Sequence, residues 1–470
     1  MSNDSTERIV AALRGRIAAA SVGTRLPSNR ELTLEYGASP VTVQKAMRRL
    51  SALGLIEARP GVGTFVRGIR PPRPVDHGWQ TAALGSPHAR IPALSSTQQT
   101  VSPDAIALHS GYPTADLLPT GLVRAAISRA ARTASAVTRS PAAGLPDLQA
   151  WFAAELADAA AAGGSTVTAR DVLILSGSQS GLSSIFRAVV GVGQPLVIES
   201  PTYWGAILAA AQAGVTLVPV PSGADGPDPD DVDRALAGSG ARAFYAQPTY
   251  ANPTGAQWSA DRSLAMLDVV RRRGAFLIED DWAHDLAIDT VPHPIAAIDD
   301  DGHVIHLRSL TKSVSPALRV AAVVARGPVR DRILADRAAE AMYVSGLLQT
   351  AALDVVTQPA WRTHLRALRP QLRARRDALV AALREHVPDA HVECTPAGGL
   401  NLWVRLPDTV DLPELVRAAA GRNVVVAPGT EWFPAESAGP YIRLNYAGPD
   451  PERYPEAAQV IGEVLREQVS

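Results

Sequence analysis

Apolar positions near the N-terminus recur at helical spacing. Ile9, Leu13 and Ile17 form one stripe over residues 5–20, which predicts an amphipathic helix. In Leu26-Pro27-Ser28-Asn29-Arg30-Glu31-Leu32 a serine stands three residues ahead of a glutamate. That spacing is a capping box, where each side chain satisfies an orphan backbone donor at a helix start. A third helix opens at Ser39-Pro40, with serine as N-cap and proline at the first helical position, where no amide hydrogen is needed. Val43, Met47 and Leu50 make its buried face, and Gly54 supplies its stop. Leu55-Ile56-Glu57-Ala58-Arg59, Pro60-Gly61-Val62-Gly63 and Thr64-Phe65-Val66 read as a short hairpin. Three helices and a two-stranded wing predict a winged helix-turn-helix over residues 1–68.

The pattern then changes. Arg70-Pro71-Pro72-Arg73-Pro74 begins a stretch, residues 69–105, rich in proline, serine, threonine and glutamine and without periodicity. It reads as a semi-extended connector. Over residues 106–470, apolar runs alternate with longer helical patterns. The strand candidates are Val172-Leu173-Ile174-Leu175, Leu196-Val197-Ile198, Ala243-Phe244-Tyr245, Phe276-Leu277-Ile278 and Val304-Ile305-His306-Leu307. Continuous apolar strands separated by helices predict an α/β body with a mainly parallel sheet covered on both faces. Ligands of such sheets gather beyond the carboxyl ends of the strands.

Composition adds limits. A chain of 470 residues exceeds one compact core. The single cysteine, Cys394, excludes a disulfide framework or a cysteine-rich metal site, and no metal is expected. The N-terminus is polar and no apolar run is long enough to cross a bilayer, so the expectation is a cytoplasmic protein with no membrane partner. The net charge of −1 hides an asymmetry: residues 1–70 hold 11 Lys+Arg against 5 Asp+Glu, a balance of +6, which leaves −7 for the rest. By charge alone the head is either a polyanion binder or a basic tail without a partner. The outward side chains of the third helix favour the first. Thr42 and Gln44 can address base edges, while Lys45, Arg48 and Arg49 can hold phosphates. Double-stranded DNA is the expected partner.

Lysine usage is the sharpest chemical clue. The chain has two lysines, Lys45 and Lys312, among 45 Lys+Arg. A lysine kept in the body is either a chance survivor or a group doing what arginine cannot. Imine formation with an aldehyde is such a task, because it needs a neutral primary amine. Around Lys312 stand Ser309, Thr311 and Arg319, suited to a phosphate. Upstream, Ser176-Gly177-Ser178-Gln179-Ser180-Gly181 follows a strand and opens a helix, offering free amides to an anion. Taken singly, Asn252-Pro253-Thr254-Gly255 would be an ordinary turn, and Glu279-Asp280-Asp281 a solvated acidic loop.

Two resemblances follow from these residues. The string from Leu26-Pro27-Ser28 through Arg30, Thr42-Val43, Leu50 and Gly54-Leu55-Ile56 to Gly61-Val62-Gly63-Thr64-Phe65-Val66 resembles the GntR family of bacterial regulators. The resemblance implies DNA contacts from Ser28, Arg30, Ser39, Thr42, Gln44, Lys45, Arg49 and Gly61. Where those proteins often carry arginine after the recognition-helix serine, this chain has Pro40. The body resembles fold-type I aminotransferases, in the order glycine-serine loop, Pro201-Thr202-Tyr203, Asn252-Pro253-Thr254-Gly255, Asp280, Ser309 to Lys312, Arg319. That likeness implies pyridoxal 5'-phosphate as cofactor, with Lys312 forming the internal aldimine and Asp280 pairing with the pyridine nitrogen. It also implies Asn252 on the phenolic oxygen, Tyr203 on the ring face, and Ser178, Gln179, Ser309, Thr311 and Arg319 on the phosphate. Arg443, in Tyr441-Ile442-Arg443-Leu444-Asn445, matches the arginine that grips a substrate carboxylate. Many relatives have a tyrosine shortly after the aspartate; here the residue is Trp282. Trp204 and Trp432 with Phe433 are expected on the substrate side.

Together the two parts resemble the MocR subfamily of regulators. The resemblance implies a homodimer that senses pyridoxal phosphate, or an amino acid or amine effector reacting with it, and binds two DNA half-sites. The alternatives are a working aminotransferase with a residual DNA-binding head, and an architectural DNA binder whose body only dimerises.

Overall fold

The structure is a computed structural model that describes residues 2–67, 95–160, 167–448 and 450–469, together with positions 80 and 83. The chain divides into two compact units, Met1–Pro87 and His88–Ser470.

In the first unit, helices α1 (Ser2–Ala18), α2 (Asn29–Tyr36) and α3 (Pro40–Ala52) precede the antiparallel strands β1 (Ile56–Arg59) and β2 (Gly63–Val66). Ile9, Leu13, Ile17, Leu32, Val43, Met47, Leu50, Ile56 and Val66 close into one core, the stripes that the helical spacing marks. The capping box forms in both directions: Ser28 N donates to Glu31 Oε2 at 2.6 Å, and Glu31 N to Ser28 Oγ at 3.3 Å. Ser39 caps α3 through Thr42 N at 3.2 Å, and Pro40 takes the first helical position. Gly54, at φ +69°, ends the helix in the left-handed region, where a side chain would be strained. The segment before α2 also joins the wing, since Leu26 N donates to Thr64 O at 2.8 Å and Val66 N to Thr24 O at 2.9 Å.

In the second unit, a short strand β3 (Ile106–Ala107) precedes an eight-stranded sheet. Its members are β4 (Val172–Leu175), β5 (Pro195–Ser200), β6 (Thr216–Gly223), β7 (Gly226–Pro227), β8 (Ala243–Ala246), β9 (Phe276–Asp281), β10 (Val304–Ser309) and β11 (Ala321–Val324). The order is β4-β11-β10-β9-β8-β5-β6-β7, with β10, β9, β8, β5 and β6 mutually parallel and β4, β11 and β7 antiparallel to their neighbours. Alternate residues face opposite layers. Ile174, Val197, Phe244 and Leu277 enter one core, and Leu175, Ile198, Tyr245 and Ile278 the other. Full burial of each such aliphatic side chain contributes roughly 1.5–3 kcal/mol, which explains why these strands are continuous apolar runs.

A smaller antiparallel sheet contains β12 (His391–Val392), β13 (Asn401–Arg405), β15 (Ala427–Pro428) and β16 (Tyr441–Asn445) in the order β12-β13-β16-β15. Strand β14 (Val424–Val425) pairs in parallel with β3. Helices Pro359–His386, Leu412–Gly421 and Tyr454–Val469 help close the core around this sheet. Of the stretch read as a connector, residues 95–105 are held to this unit. Ser96 N donates to Glu431 Oε1 at 2.9 Å, and Ser95 Oγ bonds the same carboxylate. The rest of that stretch lies outside the described residues, apart from positions 80 and 83. Among the described residues no helix is long and apolar enough to cross a membrane.

Candidate functional site

The carboxyl ends of the parallel strands converge on a cavity of about 420 Å³. The ten residues that the sequence assigns to cofactor and substrate carboxylate all line it: Ser178, Gln179, Tyr203, Asn252, Asp280, Ser309, Thr311, Lys312, Arg319 and Arg443. All but Arg443 come from five places around the large sheet. Strand β4 leads through Gly177 to Ser178, at the start of the helix Ser178–Ile185. The turns after β5 and β8 bring Tyr203 and Asn252, β9 carries Asp280, and β10 ends at Ser309 just before Lys312. Arg443 comes from β16 of the small sheet.

One end of the cavity suits a phosphate. Gly177 sits at φ +103°, and a Cβ there would lie 2.5 Å from Arg319 Nη2. Only glycine lets the guanidinium lie against the loop ahead of the free amides of the helix start. Thr311 N donates to Ser309 Oγ at 3.2 Å, while Thr311 Oγ1 is buried and has no protein partner. Gln179 is committed within the protein. Its Nε2 donates to Gly205 O at 2.7 Å, and its Oε1 accepts the Tyr203 hydroxyl at 3.2 Å. That leaves its backbone amide, rather than its side chain, for an anion.

The two adjacent aspartates face different surroundings. Asp280 Oδ2 accepts Tyr245 Oη and Gln247 Nε2, each at 2.8 Å, and Oδ1 has no partner. Burial pushes this carboxyl up to about 6. Asp281 turns away, taking His284 Nδ1 at 2.6 Å with His306 Nε2 at 3.8 Å. Burial would raise its pKa, but His284, His306 and Arg308 together hold it below the ordinary carboxylate value. Asp280 lines the cavity and Asp281 does not. Gln247 also accepts Asn252 N at its Oε1 at 2.9 Å, so one amide joins the aspartate to the asparagine. Asn252 Oδ1 is buried without a partner.

Lys312 is half-buried in the cavity wall, and its pKa is pushed well below the usual lysine value, first by desolvation and then by Arg443 and Arg319. Those conditions favour the neutral amine. Arg443 Nη2 donates to His109 O at 2.6 Å and Ser110 O at 2.8 Å, and its guanidinium lies 4.9 Å from the centroid of the Trp432 ring. Burial lowers Arg443 to about 10, which leaves it cationic at neutral pH.

The structure adds residues that the sequence reading lacks. Tyr112 lies against Lys312, and Gln247, Asn401, Thr97 and Gln98 also line the cavity. None stands in a periodic pattern or a recognised motif; loops deliver most of them. Trp282 lines the cavity, but its Nε1 donates to Tyr250 O at 3.1 Å. The expectation for the aromatic group needs correction. Trp204 does line the cavity, whereas Trp432 is wholly buried behind Arg443 and Phe433 lines a different cavity. The reason is packing: Trp432 and Phe433 form an aromatic cluster with Trp403 and Tyr441.

In the head, Arg30, Ser39, Gln44, Lys45, Arg48 and Arg49 are exposed, Thr42 is half-buried, and Gly61 turns the wing at φ +73°. Ser28 and Ser39 act as helix caps. Ser39 Oγ and Thr42 Oγ1 share a hydrogen bond of 2.9 Å. Arg49 is ion-paired with Glu7 of α1, so among the described residues it is the proposed cation of α3 that an ion pair engages within the fold. Val41, 59% exposed in the first turn of α3, was missed because an apolar residue there reads as core.

The sequence pattern of the aminotransferase class I and II family matches residues 104–461, and that of the bacterial regulatory proteins of the gntR family matches residues 5–66. The chain is 28% identical to the HTH-type transcriptional regulator YdfD of Bacillus subtilis, over 96% of this chain and 93% of that protein. It is 29% identical to the probable rhizopine catabolism regulatory protein MocR of Rhizobium meliloti, over 91% and 87%. Among solved structures, LysN, an alpha-aminoadipate aminotransferase from Thermus thermophilus, superposes with a TM-score of 0.73 at 26% identity, covering 80% of this chain and 96% of that one. The chain therefore belongs to the aminotransferase class I and II family and carries a GntR winged helix ahead of it, the combination that defines the MocR subfamily of transcription regulators.

Proposed function

We propose that the protein is a DNA-binding transcription regulator whose body binds pyridoxal 5'-phosphate at Lys312 and through it senses the cofactor or an amino compound. The observation that carries this reading is the union, in one chain, of a winged helix with a half-buried lysine held toward its neutral form in the wall of a cavity. The residues present fit the cofactor. Asp280 Oδ1, Asn252 Oδ1 and Thr311 Oγ1 are buried polar atoms that lack protein partners, and buried polar groups are normally satisfied. Gly177, Ser178, Ser309, Thr311 and Arg319 would hold the phosphate, Asp280 the pyridine nitrogen, Asn252 the phenolic oxygen, and Tyr203 a face of the ring. Bound there, pyridoxal phosphate supplies an aldehyde that condenses reversibly with primary amines, and a ring that withdraws electrons.

Lys312 offers the resident amine, and its depressed pKa makes that amine nucleophilic near neutral pH. Arg443 presents a fixed cation for the carboxylate of an amino acid. The LysN structure was solved with N-(5'-phosphopyridoxyl)-L-leucine, a compound that joins both parts. An effector shifts the DNA-binding heads only through its differential affinity for their two arrangements. As a homodimer, the protein would read two half-sites.

The test is selective binding to DNA from upstream of its own and neighbouring genes, with and without pyridoxal phosphate, for the native chain and Lys312→Ala. A cofactor effect that disappears with Lys312 supports the reading. Selective binding that ignores cofactor, or no selective binding at all, overturns it. The second reading, a working aminotransferase, draws on the likeness to LysN, while the indole at Trp282 weighs against it. An indole donates one hydrogen bond and cannot exchange a proton as a phenol does. Turnover of an amino acid with 2-oxoglutarate would favour that reading.

A further inference from the structure

Asn401 opens β13 and lines the cavity around Lys312, yet the fold makes no use of its side chain. The residue is 5% exposed. Its Oδ1 is buried without a partner, and its Nδ2 makes no hydrogen bond among the described residues. Asn445, directly across the strand pair, is the contrast. There Nδ2 donates to Tyr112 O at 2.8 Å and Oδ1 accepts Ala447 N at 2.7 Å. A buried amide left unmet is costly, and buried polar groups are normally satisfied. An unmet one in a cavity wall points to a ligand group that meets it.

The strand register puts this amide beside Arg443. Asn401 pairs with Asn445, and Trp403 with Arg443. Residues two apart in a strand share a face, so Asn401 and Arg443 are diagonal neighbours on one face of the small sheet. Both line the same cavity. A ligand whose carboxylate rests on Arg443 therefore has its remaining atoms within reach of Asn401.

The charged residues that line the cavity are Asp280, Lys312, Arg319 and Arg443. Under the function proposed above, on which this inference rests, they serve the pyridine nitrogen, the aldehyde, the phosphate and the carboxylate. A charged side chain on the effector would meet no free counter-charge among the lining residues, and burying it would be costly. An apolar side chain would leave the Asn401 amide unmet. The group that fits is uncharged and both donates and accepts, as a carboxamide or a hydroxyl does. We propose that Asn401 is a specificity-determining residue of this cavity, and that the effector is an α-amino acid whose uncharged side chain carries a carboxamide or a hydroxyl.

The probes are stable conjugates of the kind present in the LysN structure, N-(5'-phosphopyridoxyl)-amino acids, titrated by calorimetry into the full-length protein without cofactor. The asparagine and leucine conjugates share one heavy-atom framework, as do those of threonine and valine. In at least one pair the polar member should bind about tenfold or more tightly than its apolar counterpart, the effect of two added hydrogen bonds. It should also bind more tightly than the aspartate conjugate. The preference should vanish in Asn401→Leu and in Asn401→Ala, one of which fills the space of the amide and the other empties it. Equal affinity within both pairs overturns the proposal. So does an aspartate conjugate that binds as tightly as the polar ones, or a preference that survives both substitutions. If no conjugate binds, the reading of the cavity as a cofactor site falls, and this inference falls with it.

Discussion

Lys312 Nζ lies 3.2 Å from the centroid of the Tyr112 ring. The ring covers an amine already depressed by burial and by two neighbouring guanidinium groups. In Tyr112→Ala water reaches Nζ and the desolvation weakens, so the lysine pKa rises toward its ordinary value. Less neutral amine is then present at a given pH. The pH for half-maximal covalent capture of pyridoxal phosphate, read by borohydride trapping, should move toward alkaline in Tyr112→Ala and stay put in Tyr112→Phe. An unchanged midpoint in the alanine variant would mean that the ring does not shield the amine.

Arg443 spends Nη2 on two backbone carbonyls, which fixes the guanidinium at the cavity wall. If it reads a carboxylate, L-leucine should perturb the cofactor spectrum at lower concentration than isopentylamine, the same chain without a carboxylate. Hydrogen bonds to charged groups contribute roughly 1.5–3 kcal/mol, so the preference should be about tenfold or more. In Arg443→Gln the two compounds should become equivalent while binding of pyridoxal phosphate alone persists. A preference that survives the substitution assigns the carboxylate to another group.

Asp280 gives a pH-dependent prediction. Its buried carboxyl titrates at about 6 in the free protein. Above that pH it is an anion able to pair with a protonated pyridine nitrogen, and below it the pairing charge is progressively lost. Pairing would lower the pKa in the complex, so affinity gained through Asp280 is fully present above about pH 6 and shrinks as the pH falls. Native protein should therefore bind pyridoxal phosphate more tightly than Asp280→Asn at pH 8, by about tenfold or more. The ratio should decline below about pH 6. Using the ratio cancels the titration of the cofactor's own phosphate, which both proteins meet alike. A ratio that is flat with pH would show that the charge of Asp280 is not what holds the ring.

The parts that were legible in the sequence share a physical cause. Continuous apolar strands, the Ser28–Glu31 box and the Ser39-Pro40 start are local patterns, and each local preference agrees with the fold. Lys312 stood out because arginine replaces lysine elsewhere in the body. Tyr112, Gln247 and Asn401 were not legible, because their roles depend on which loops and sheets meet at the cavity. Gln247 shows this best: its amide bonds both Asp280 and Asn252, two residues that no sequence period relates to it. Trp432 misled for the same reason, since an aromatic near Arg443 can line the pocket or buttress the arginine, and only packing decides.

The recognition helix offers a test of how each exposed residue reads DNA. Lys45 and Arg48 are exposed and make no ion pair among the described residues, whereas Arg49 is held by Glu7. Lys45→Ala should weaken binding to all sequences alike and reduce the slope of log affinity against log salt by about 1, the signature of one lost phosphate contact. Gln44→Ala should instead cost about 1–3 kcal/mol on the preferred site and little elsewhere, because a glutamine addresses base edges. Val41 is suited to the methyl group of a thymine. Replacing the contacted thymine by uracil should weaken native binding by about 0.8 kcal/mol, the worth of one buried methyl-sized group, and should have no effect in Val41→Ala. Glu7→Ala frees Arg49, so it should tighten non-selective binding and steepen the salt dependence. If Glu7→Ala leaves the slope unchanged, Arg49 serves the fold of the head rather than the DNA.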